Sequence, residues 1–113
     1  MDKQQIDKLS NLHKNLVMAF DVQELGDCAD ELKDILENLR KDSKENSEAI
    51  ELLEKAEAAI YDVLSVFEEY EISGFFAAVV GNNSELRAIF KENVQFAVKQ
   101  ISEILNANIN NEI

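Results

Sequence analysis

The chain has 113 residues, 46% apolar and 30% charged, with no proline and only three glycines, which excludes full disorder and favours helix through a single domain-sized unit. Its net charge of −12, from 23 acidic and 11 basic residues, disfavours direct nucleic-acid binding and docking on an anionic membrane, because both need clustered Lys and Arg. The lone cysteine, Cys28, cannot form an internal disulfide, so a reducing compartment is the simplest reading.

Met1–Gln5 is polar and no apolar stretch follows it, so no secretory leader is expected. No apolar run approaches the ~20 residues of a membrane span. A soluble cytoplasmic protein is the expectation.

The first periodic segment covers about residues 3–20. Ile6, Leu9, His13, Leu16 and Phe20 recur at alternating steps of three and four, which is one face of a helix. Leu12 and Val17 widen that stripe. The phase breaks between Phe20 and Leu25, a step that fits neither helical spacing. Asp21 and Glu24 have the spacing of a capping box, which places a turn near Asp21. Two rivals remain: a turn at Gly26 with Asp27 as cap, or one kinked helix running from Lys3 to Lys41.

The second segment, about 22–41, places Leu25, Cys28, Leu32, Ile35 and Leu39 on one stripe, with Ala29 and Leu36 beside it. Arg40 and Lys41 suit a helix C-terminus, and Asp42 with Ser43 supplies a stop and a new cap. The third segment, about 44–73, carries Ala49, Leu53, Ala56, Ile60, Val63, Phe67 and Tyr70 at the same rhythm.

The stripe then passes to small residues, Gly74, Ala77 and Gly81. A break at Gly74 is favoured, because glycine costs ~1 kcal/mol in a helix interior relative to Ala. A short apolar helical joint over 75–80 follows, with continuation of the long helix to Gly81 as the rival. Gly81 suits a C′ position, and Asn82, Asn83 and Ser84 supply caps. The last helix, about 84–106, carries Leu86, Phe90, Val94, Ala97, Ile101 and Ile104. Residues 106–113 hold four asparagines, so 107–113 is expected to fray.

Four amphipathic segments with short connections predict an all-α, antiparallel up-down-up-down bundle in a single domain spanning 1–113. A three-helix bundle is the alternative if the first two segments fuse.

No catalytic, metal or cofactor motif stands out. His13 is the only histidine, lies on an apolar stripe, and reads as a core-edge residue with one ring nitrogen reaching water or a carbonyl. Phosphotransfer bundles expose such a histidine before a small, basic run, and His13 is followed by Lys14-Asn15-Leu16-Val17 instead. Cys28 reads as a small buried hydrophobe. Glu48, Glu51, Glu54 and Glu57 recur every third residue, and Asp27, Asp30, Glu31 and Asp34 crowd the second helix. Inward-facing pairs of this kind bind magnesium in all-α hydrolases. Here they fall off the apolar stripes, with Glu31 nearest to one, and read as a solvated face.

Of the net charge, −10 falls on residues 27–73. That concentration either solubilises an outer face or steers a basic partner. Phe75, Phe76, Val79 and Val80 form a broad apolar face, read first as a core plug and second as part of a groove for a partner helix or a homodimer contact. The expected function is therefore binding of another protein, one that is basic or presents an amphipathic helix. Phe75, Phe76, Val79 and Val80 would form the contact, with Glu51 and Glu54 orienting it. An adaptor, an export-type chaperone or a regulatory subunit would fit; size, helicity and acidity are similar in general character to secretion- or flagellar-type export chaperones. The alternatives are an inhibitor or immunity protein that mimics DNA or blocks a basic site, and a small metal-dependent all-α hydrolase.

Overall fold

The computed structural model describes residues 1–19, 22–41, 43–69 and 84–112. These form α1 (Lys3–Val17), α2 (Val22–Arg40), α3 (Ser43–Glu69) and α4 (Ser84–Glu112), with no strand among the described residues. The all-α, four-helix expectation is met.

The start of α1 is fixed by a capping box that apolar periodicity does not reveal. Asp2 Oδ1 accepts from the Gln5 amide at 2.8 Å, and Gln5 Oε1 accepts from the Asp2 amide at 3.2 Å. Two orphan amides at the helix opening are thereby satisfied reciprocally. The helix stops at Val17, short of the expected Phe20. Met18 is its C-cap, and the Ala19 amide donates to the Leu16 carbonyl at 3.3 Å, tightening the last turn.

The phase break before Leu25 is a true break, since α1 ends at Val17 and α2 begins at Val22. The kinked continuous helix is therefore excluded. So is a turn at Gly26, which lies inside α2. Phe20 and the expected cap Asp21 lie outside the described residues, as do Asp42, Asn82 and Asn83. The same holds for 70–83 as a whole, and with it the joint at 75–80, Tyr70, Gly74 and Gly81.

The α4 boundary needs correction. The asparagine content places it at 106, whereas the helix runs to Glu112. Asn108 is used in place. Its Nδ2 donates to the Ile104 carbonyl at 2.8 Å and to Met1 Sδ at 3.8 Å, so a weak helix former links α4 to the start of α1.

The four stripes meet in one core. Leu9, Leu12 and Leu16 come from α1, Leu25, Leu32, Leu36 and Leu39 from α2, Leu53, Ala56, Ile60 and Val63 from α3, and Ala97, Ile101 and Ile104 from α4. Each fully buried leucine contributes about 1.5–3 kcal/mol. An exposed ion pair such as Arg40–Glu54, at 3.4 Å, contributes at most about 1 kcal/mol. Burial of the stripes thus decides the fold. Leu12, which only widens the first stripe, is fully buried, while Ile6 and His13 are half-buried.

The main packing partners of α1 are α2 and α4, and those of α3 are also α2 and α4. Residue numbers rise along α1 as they fall along α4, because Met1 meets Asn108 and His13 meets Ser102. Asn46 is buried, donates from Nδ2 to the Leu39 carbonyl at 3.4 Å, and holds the start of α3 against the end of α2.

Candidate functional site

Of the residues predicted to bind a partner, Phe75, Phe76, Val79 and Val80 lie outside the described residues. Glu51 and Glu54 are both exposed on α3. Each shares its charge with a cation of the same chain. Glu51 lies 3.6 Å from Lys55, and Glu54 lies 3.4 Å from Arg40. The structure places these two glutamates on the outer surface of one helix, and neither lines a described depression.

One such depression lies between α1 and α2. Asn15 and Met18 come from the end of α1, and Glu24, Asp27, Cys28 and Glu31 from the first half of α2. Together they line an open cleft of ≈ 400 Å³. Residues 24, 27, 28 and 31 fall on one helical face by their three- and four-residue spacing, so the cleft follows from the α2 sequence once α1 is packed beside it. Asn15 Nδ2 donates to Glu31 Oε2 at 3.5 Å across the cleft. Asp27 is exposed and Glu31 half-buried.

The floor and one wall are apolar. Cys28 is 2% exposed and faces the cleft from α2. Burial pushes its thiol pKa up to about 11, and the carboxylates of Glu31, Asp27 and Glu24 push in the same direction. A thiol held protonated at neutral pH is a poor nucleophile and a poor metal ligand, so Cys28 offers the cleft a soft apolar surface. Met18 is 57% exposed and its neighbour Val17 59%. These two lead the exposure of large apolar side chains among the described residues, and they are adjacent at the cleft end of α1. Val17, the last residue of α1, lies off the buried arc of Leu9, Leu12 and Leu16, and Met18 is the C-cap, while Ala19 just beyond it is buried.

The cleft is partly legible in the sequence. Cys28 on the stripe, Glu31 beside it and the crowd of acids on α2 are all visible there. The part played by Asn15 and Met18 is not, because it depends on where α1 stops.

His13 also differs from expectation in its partner. Its Nε2 lies 2.8 Å from Ser102 Oγ on α4, and the pair acts as a cross-helix tie. Among the described residues no three His, Cys, Asp or Glu side chains converge to hold a metal ion. No described helix is long and apolar enough to cross a membrane.

The chain matches no protein-family model, and no curated protein or solved structure is similar to it.

Proposed function

We propose that the protein is a binding module for a basic, amphipathic segment of another protein, as an adaptor, export-type chaperone or regulatory subunit would be. The observation that supports this reading is the α1–α2 cleft, where exposed Met18 stands beside the buried Cys28 inside a border of Glu24, Asp27 and Glu31. A helix carrying leucine or methionine on one face and lysine or arginine on its flanks is complementary to that arrangement in both polarity and charge. A net charge of −12 draws such a segment in over a longer range. The attraction acts between exposed charges, so binding weakens as salt rises.

The test uses the full chain and a fluorescent synthetic helix of leucines and lysines at helical spacing, with a leucine–glutamate counterpart as control. The expected result is saturable binding of the basic peptide alone, with amide shifts concentrated over Asn15–Glu31 in a heteronuclear NMR titration. Met18→Asp and Asp27→Lys should each weaken it by about tenfold, the equivalent of 1.4 kcal/mol. Unchanged affinity in both variants would remove the cleft as the site. Equal affinity for both peptides would remove the charge argument.

A further inference from the structure

We draw no further inference here: the strongest candidate, the cavity between the start of α3 and the end of α4 where Glu48 and Glu103 stand beside Asn46 and Asn108, rests on an acidic cluster alone, since the deeply buried Asn46 is already bonded to the Leu39 carbonyl and Asn108 to the Ile104 carbonyl.

Discussion

His13 Nε2 and Ser102 Oγ lie 2.8 Å apart and tie the 15-residue α1 to the 29-residue α4. A helix as short as α1 is marginal by itself, so its place depends on what it touches. Leu9, Leu12 and Leu16 supply burial, and the His13–Ser102 pair supplies direction, since a hydrogen bond fixes rotation about the helix axis where packed leucines tolerate some sliding.

Ser102→Ala should cost about 1 kcal/mol, the usual net value of a hydrogen bond at a half-buried site where water can take the vacated position. A chain of this size would lose roughly 5 °C in thermal midpoint. The informative measurement is a double-mutant cycle with His13→Asn, monitored by urea denaturation. Coupling of about 0.5–1.5 kcal/mol is expected if the two side chains act on each other. Strictly additive losses would mean that the pair adds nothing beyond its separate packing.

Much of the fold is legible in the sequence because it rests on periodicity. In α2 every stripe residue, from Leu25 through Cys28, Leu32 and Ile35 to Leu39, is buried. In α3 and α4 the same holds for Leu53, Ala56, Ile60, Val63, Val94, Ala97, Ile101 and Ile104. Periodicity says less where several neighbours compete for one helix. It marks Ile6 as core and Leu12 as flank, but α1 packs between α2 and α4, which turns Leu12 fully inward. Helix ends are harder still. Asp2 and Gln5 have capping-box spacing, yet Asp2 looks like an ordinary polar residue off the stripe. The asparagines near the C-terminus look like a helix stop until Asn108 finds the Ile104 carbonyl and Met1. The cleft is least legible, because it exists only where the end of α1 meets the first half of α2.

Cys28 yields a prediction with a definite sign. Burial, reinforced by Glu31, Asp27 and Glu24, raises its pKa in the folded state to about 11, against 9.0 for an unperturbed thiol. The folded state therefore holds the proton more tightly than the unfolded state. This stabilisation is complete below about pH 9, falls as pH rises through the interval, and is gone above about pH 11. A gap of that width between folded and unfolded values corresponds to at most ~3 kcal/mol. Lysines and tyrosines titrate over the same range, so the comparison is with Cys28→Ala. Urea midpoints should fall more steeply for the wild type than for the variant between those pH values. Parallel profiles would show that the thiol is not held protonated by the fold. Iodoacetamide should label the native thiol slowly at neutral pH and quickly once urea exposes it.

Gly26 gives a prediction in the opposite direction, because replacing it should stabilise the protein. It lies inside α2, which begins at Val22, and a Cβ built there meets nothing within 4 Å. Glycine in a helix interior costs about 0.5–1 kcal/mol relative to alanine, through the backbone freedom it brings to the unfolded chain. Gly26→Ala should recover that amount, raising the thermal midpoint by roughly 3–6 °C with an unchanged urea m-value. By its helical angle the residue points away from Glu24, Asp27 and Glu31, so peptide binding in the cleft should be unaffected. The sign of the effect also decides between two readings of the same residue. A turn glycine with positive φ would make the alanine variant less stable, because L side chains are strained there. A helical glycine makes it more stable. A stability measurement on this single variant thus tests in solution whether α2 runs through Gly26 or starts after it.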